Sequence, residues 1–235
     1  MTFYREWVKS DDLVKNIVSY RETDLCIMAD RDIKNKALEA IHKHRKEIED
    51  YIRIDPEFKE TLKPIEARKG APPIVMAMIE AGKAANVGPM AAVAGAIAEY
   101  IGRDLLRFSD EVIVENGGDI FIKSGKNRRF GVFAGESALT GKLAFEIMAQ
   151  DTPLGVCTSS GTVGHSLSFG RADAACIIAK DALLADAVAT AAGNRVKTAD
   201  DIERAIEFAR AITGVEGALI VVGDRFGSWG KVKLG

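Results

Sequence analysis

The chain is poor in several things that would have decided its class. It has only three cysteines in 235 residues, Cys26, Cys157 and Cys176, an odd and widely spaced set without a CxxC pair. Neither a disulfide framework nor a zinc cluster is suggested. Prolines number six and aromatics make up 7% of residues, with no Pro/Gly-rich stretch, so collagenous, linker-like and disordered classes fall away. No sign of charge dominates: 34 acidic against 32 basic residues give a formal charge of −2, and no basic field points to nucleic acid or to an anionic membrane. Long apolar runs are missing too. The uncharged stretch Ala84–Ala98 is rich in Ala and Gly and falls short of the roughly 18 residues of a membrane span, so a buried helix is expected there. The start, MTFYREWVK, lacks the apolar segment and small-residue cleavage site of a secretory signal, and the expected home is the cytoplasm.

What is present is enough for a core: hydrophobic residues make up 47% and charged residues 28%. Residues 3–29 alternate in short runs rich in Val, Ile, Tyr and Trp and predict two or three strands. From Asp32 the spacing of Ile33, Ala37, Ile41, Ile48 and Ile52 predicts a long amphipathic helix, on which His42 and His44 are expected at the surface. Asp55-Pro56 and Ala71-Pro72-Pro73 each open a further helix, and Gly88-Pro89 precedes a small-residue helix from Met90 to Ile101. Residues 111–158 read as five successive strands, VIVE, DIFIK, FGVFA, LAFEIM and LGVCT, joined by links too short for anything but antiparallel neighbours. Ala172–Ala179 predicts another strand, Asp181–Asn194 a helix, and Thr198–Ile212 a helix opened by the capping box Thr198-x-x-Asp201. Strands at 218–223 and 231–234 are expected to close the sheet. The fold class predicted is α+β, a mainly antiparallel sheet with helices packed around it, in one domain spanning residues 1–235 or two closely packed α+β halves.

Four segments could carry chemistry. On a helix, Asp186 and Thr190 stand at i and i+4, so a carboxylate and a hydroxyl leave one face a turn apart; both are hard donors of the kind Mg²⁺ prefers. The plainer reading has Asp186 solvated and Thr190 bonded back to its helix. Glu115-Asn116-Gly117-Gly118-Asp119 is a hairpin turn by its Asn-Gly, and its glycines would also let backbone amides approach a ligand. The stretch from Val156 to Gly170, with Cys157, Ser159, Ser160, Gly161 and His165, is dense in hydroxyls and glycines and suits a loop around phosphate oxygens. Cys157 with His165 could alternatively form a nucleophile and base, although no third group orients them; Cys157 also reads simply as core at the end of an apolar strand. Gly88-Pro89, at a helix start, could attract an anion or serve only packing.

Taken in order, Val87-Gly-Pro-Met-Ala-Ala-Val-Ala-Gly95, Glu115-Asn-Gly-Gly-Asp119, Thr158-Ser-Ser-Gly-Thr-Val-Gly-His-Ser-Leu-Ser-Phe-Gly170 and Ala185-Asp-Ala-Val-Ala-Thr-Ala191 resemble the ApbE superfamily of flavin transferases, and most of all its short cytoplasmic branch. The resemblance implies FAD as ligand and Mg²⁺ as cofactor. It implies cleavage of the FAD pyrophosphate, with FMN passed to a threonine of a partner protein or released with AMP. It makes Asp186 and Thr190 the Mg²⁺ ligands, with a backbone carbonyl from the turn at Gly88–Ala92. Gly88, Met90, Asn116, Gly117, Gly118, Asp119, Ser159, Ser160 and Gly161 become ligand-binding candidates, with amides of Gly117, Gly118 and Gly161 on phosphate oxygens, and His165 the acid or base. The chain departs from the family in two places. Gly88-Pro-Met-Ala-Ala92 stands where the family has Gly-Ile-Ala-Lys-Gly, and Ser166–Gly170 replaces an Asp-Pro and Thr-Gly segment. The short branch also implies an alternative, an accessory protein in sulfur assimilation towards homocysteine with Cys157 as sulfur carrier. Partners expected are a small phosphorylated ligand and a protein acceptor, without nucleic acid or membrane; homo-oligomerisation is left open.

Overall fold

The computed structural model describes residues 12–161 and 169–232. Strands β1 (Val14–Tyr20) and β2 (Thr23–Ala29) form a hairpin, and helices α1 (Lys34–Ile54), α2 (Glu57–Glu60), α3 (Pro73–Ala85) and α4 (Val93–Leu105) follow. Next come β3 (Val112–Asn116), β4 (Asp119–Lys123), β5 (Arg128–Gly131), β6 (Ala144–Ile147), β7 (Leu154–Ser159) and β8 (Ala174–Ala179). Helices α5 (Ala182–Arg195) and α6 (Ile202–Arg210) and strands β9 (Val215–Val222) and β10 (Arg225–Gly230) complete the order. Eight strands make one antiparallel sheet, ordered β1-β2-β3-β4-β7-β8-β9-β10, so the predicted α+β class is what the chain forms.

Period-two alternation splits the side chains between the two sheet faces. Leu25, Ile27, Val114, Phe121, Cys157 and Ile177 point to one face, where they pack with α1, α3, α4 and α5. Cys26, Met28, Ile113, Ile122, Val156 and Ile178 point to the other. That second face is covered by β5 and β6, which pair only with each other and contribute Phe130, Phe145 and Ile147. The five-strand run of residues 111–158 is therefore not a single meander: its third and fourth members leave the sheet to close its back. Phe130 and Phe145 stack with ring centroids 6.0 Å apart, burying aromatic area that an edge position would have exposed.

Three further expectations change. The last strand is β10, residues 225–230, because Gly223 at φ 61° makes a tight turn after β9 and returns the chain at once; the strand expected at 231–234 is not found at its described positions, Lys231 and Val232. The uncharged stretch Ala84–Ala98 is no continuous helix, since Asn86 at φ 56° ends α3 and a short 3₁₀ turn, Pro89–Ala92, intervenes before α4. His44 is 3% exposed rather than at the surface. Its Nε2 lies 2.9 Å from Asp104 Oδ2 and its Nδ1 3.1 Å from Glu47 Oε2, so polar partners on α1 and α4 make its burial tolerable. His42, by contrast, is exposed. The capping box Thr198/Asp201 forms as expected, opening a 3₁₀ turn that leads into α6.

Candidate active site

The site is built where α4 and α5 cross above the sheet. Asp181 caps α5 by accepting the N–H of Leu184 at 2.8 Å, and the helix that follows is buried along almost its whole length. Such a helix needs small residues. A Cβ on Gly95 of α4 would lie 2.2 Å from the Ala182 carbonyl oxygen, so only glycine permits this approach.

Helix α4 begins without a side-chain cap of its own, since Ala92 precedes it. The missing acceptor comes from α5: Asp186 Oδ2 accepts the N–H of Gly95 at 2.9 Å, and the Ala94 amide also hydrogen-bonds to that carboxylate. First-turn amides carry the positive end of the helix dipole, so they suit a carboxylate. Asp186 is 9% exposed, not solvated. Burial pushes its pKa up to about 7 against the pull of the two amides.

A second acid sits beside it. Asp119 opens β4 opposite Cys157 of β7 on the helix-covered face of the sheet, and it is 8% exposed. Burial raises its pKa well above the carboxylate range, the charges of Asp186 and Glu115 add to that, and hydrogen bonds from the Cys157 thiol and the Thr158 amide oppose it. Its Oδ1 is buried with no hydrogen-bond partner.

Asp119, Asp186 and Thr190 open onto one cavity of about 560 Å³, which Gly88 and Met90 also line. These are five of the residues singled out in the sequence, brought from three separate segments. The others stand elsewhere. Asn116 sends its Nδ2 3.0 Å to the Ala94 carbonyl and so braces the start of α4. Gly117 and Gly118 form the β3–β4 turn at φ 65° and 106°. The Gly118 N–H donates to Glu115 Oε1 at 3.0 Å and the Gly161 N–H to the Ala172 carbonyl at 2.8 Å, so two of the three amides expected on phosphate are engaged within the chain. Ser159 and Ser160, at the end of β7, are half-buried and do not line the cavity, and His165 lies outside the described residues.

The sequence reading missed Lys59, Phe169, Asn194 and Arg195, all of which line the cavity. Asn194 was within reach, since it continues the Asp186, Thr190 spacing by one more turn; its Oδ1 accepts the Phe169 N–H at 2.7 Å. Arg195 donates to the Ala191 carbonyl at 2.6 Å and lies 3.5 Å from the Phe208 ring centroid, a cation held against an aromatic face. Lys59 is exposed. Among the described residues no three His, Cys, Asp or Glu side chains cluster as a metal site, so an ion here would draw its remaining oxygens from hydroxyl, backbone or ligand. Cys157 is 0% exposed, its Sγ 3.3 Å from the Ala182 carbonyl oxygen, and burial pushes its thiol well up. That is the environment of a core thiol rather than of a carrier that must meet substrates. Among the described residues no helix is long and apolar enough to cross a membrane.

Similar architecture occurs in solved structures at low sequence identity. The ApbE protein of Thermotoga maritima matches with a TM-score of 0.58 at 15% identity, over 92% of this chain and 96% of that one. The flavinyl transferase ApbE of Pseudomonas stutzeri matches with a TM-score of 0.58 at 10% identity, over 95% of each. Sequence relatives are much nearer. A UPF0280 protein of Methanosarcina acetivorans is 42% identical over 222 residues, 93% of this chain and 87% of the relative, and one of Methanocaldococcus jannaschii is 42% identical over 224 residues, 93% and 91% respectively. With residues 5–228 matching the family model described as AbpE bacteria, the chain belongs to that family.

Proposed function

We propose that the chain binds FAD or a related phosphorylated ligand in this cavity together with Mg²⁺, and cleaves the ligand's pyrophosphate. The observation that carries the reading is the opening of Asp186 and Thr190, one helical turn apart, onto a single cavity that Asp119 also lines. A buried carboxylate, a hydroxyl and a second carboxylate with an unpartnered oxygen form a hard-oxygen donor set, which fits Mg²⁺. Asp186 and Thr190 are its proposed ligands, with a backbone carbonyl of the Gly88–Ala92 turn. When bound, Mg²⁺ would neutralise pyrophosphate charge and stabilise the leaving phosphate.

The rest of the work falls to the chain. The acids are the buried part of the cavity, and the cations Lys59 and Arg195 its exposed and half-exposed part. This layout suits phosphate oxygens held between a cation-binding depth and a basic mouth. Lys59, brought by α2, supplies an ammonium to a cavity whose Gly88–Ala92 turn has none. The Phe169 ring, 54% exposed at the same cavity, offers a face for a planar ring system. His165 is the proposed acid or base, and FMN would pass to the hydroxyl of a protein acceptor or of water as AMP leaves. The neighbours named as flavin transferases favour this chemistry over others of the same fold.

Incubation of the full chain with FAD and Mg²⁺, followed by mass spectrometry, should give FMN and AMP, with loss of both on chelation and in Thr190→Val. Neither product nor retained flavin would end this reading.

A further inference from the structure

Asp119 lines the same cavity as Asp186 and Thr190. Asp119 is 8% exposed, and its Oδ1 is buried without any hydrogen-bond partner. Buried carboxylate oxygens without donors are rare because the lost hydration is not replaced. The cations of the cavity do not answer it. Arg195 is committed to the Ala191 carbonyl and the Phe208 ring, and among the described residues no ion pair joins Asp119 to Lys59 or any other base. The charged groups that act on it are carboxylates, Asp186 and Glu115.

We propose that Asp119 is a second carboxylate ligand of the divalent cation held by Asp186 and Thr190. The inference rests on reading this cavity as a Mg²⁺ and phosphate site, and it adds that two carboxylates from different elements, β4 and α5, clamp the ion. The alternative partner for Oδ1 is an N–H of the bound ligand. A neutral donor would satisfy that one oxygen alone, whereas a divalent ion gives Oδ1 its partner and joins it to the Asp186 carboxylate on the same cavity. A clamp of two carboxylates also holds the cation before any nucleotide arrives, since the protein itself supplies both side-chain ligands.

The test is Mn²⁺ binding to the full chain without nucleotide, read from loss of the free-ion electron paramagnetic resonance signal, with Mg²⁺ as competitor. Wild type should bind Mn²⁺, and Asp119→Asn should weaken it at least tenfold, as should Asp186→Asn. Wild-type affinity retained in Asp119→Asn but lost in Asp186→Asn overturns the clamp and leaves the Mg²⁺ site standing. Retained Mn²⁺ affinity with loss of FAD retention in Asp119→Asn overturns it in favour of a ligand N–H. A wild type that binds no Mn²⁺ removes both the clamp and the metal-dependent reading beneath it. Should Asp119→Asn not fold, wild type carrying [¹³Cγ]Asp gives the same answer by nuclear magnetic resonance: two buried carboxylate signals moving with Mg²⁺ support the clamp, and one refutes it.

Discussion

Asp186 of α5 accepts the N–H of Gly95 on α4, and Glu99 of α4 accepts the N–H of Ala182 at the start of α5, both at 2.9 Å. Each helix caps the other. Neither start carries its full complement of acceptors locally, and the exchange fixes the angle at which Asp186 and Thr190 reach the cavity. The cap and the proposed metal site thus fall on one side chain at Asp186, whereas Thr190 accepts neither capping amide.

The two positions should therefore separate in a stability measurement. Asp186→Ala removes the acceptor of the Gly95 amide and should cost about 1–3 kcal/mol in urea unfolding, the usual penalty for leaving a buried donor unpaired. Asp186→Asn keeps an acceptor oxygen and should recover most of that loss. Thr190→Val preserves shape at a half-buried site and should fall within about 1 kcal/mol of wild type while losing Mg²⁺-dependent turnover. Equal destabilisation by Asp186→Ala and Thr190→Val would mean that the cap contributes nothing.

Close approach of the helices can be tested at its point of contact. Gly95→Ala would place a methyl 2.2 Å from the Ala182 carbonyl oxygen, an overlap with backbone that no rotamer relieves, and should destabilise by about 1–3 kcal/mol or more and weaken ligand binding. Gly117→Ala in the β3–β4 turn meets nothing within 4 Å and bears only the strain of φ 65°, about 1–2 kcal/mol. It should leave the helix crossing intact. The comparison is made by chemical denaturation together with flavin retention, and a ligand-binding loss in Gly117→Ala as large as in Gly95→Ala would point to the turn rather than the crossing.

Much of this was legible in the residues because it is local. The Asp186-x-x-x-Thr190 spacing, the Asn116-Gly117 hairpin and the Thr198 capping box all act within a few positions, and each appears in the fold. What escaped is non-local. Gly95 and Asp186 are 91 positions apart, and nothing in DALLADAVATAAGN says that its acid will cap another helix. His44 looks like a surface residue until Asp104, 60 positions on, arrives beside it. FGVFA and LAFEIM have the composition of sheet strands, and only the need to cover Ile113, Ile122 and Val156 on the open face explains why they leave the sheet.

The thiols offer a direct reading of that burial. Cys26, Cys157 and Cys176 are all free and buried, and burial pushes Cys176 to about 12 and Cys157 well above its ordinary range. A disulfide reagent at pH 8 should find almost no reactive thiol in the native chain and three after addition of urea, because the attacking species is the thiolate. One fast thiol in the native protein, lost in Cys157→Ser, would revive the sulfur-carrier alternative.

Glu99 gives the reciprocal cap a pH signature. It is 1% exposed, with Oε2 on the Ala182 amide and Oε1 accepting Arg103 Nε at 2.6 Å. Burial raises its pKa, outweighing the amide and Arg103, which favour the charged form. An acid whose folded pKa is raised binds its proton more tightly in the fold than in the unfolded chain. Its favourable contribution is therefore complete below the unfolded value near 4.5 and declines as pH rises through the folded one. Glu99→Gln fixes the neutral form and retains an acceptor for Ala182. Its stability relative to wild type should accordingly improve between pH 4 and pH 8, whatever the offset at either end, when urea midpoints are compared at each pH. A difference that stays level, or moves against glutamine as pH rises, would mean that the Arg103 pair prevails over burial and that the α5 start is capped by a charge the fold welcomes.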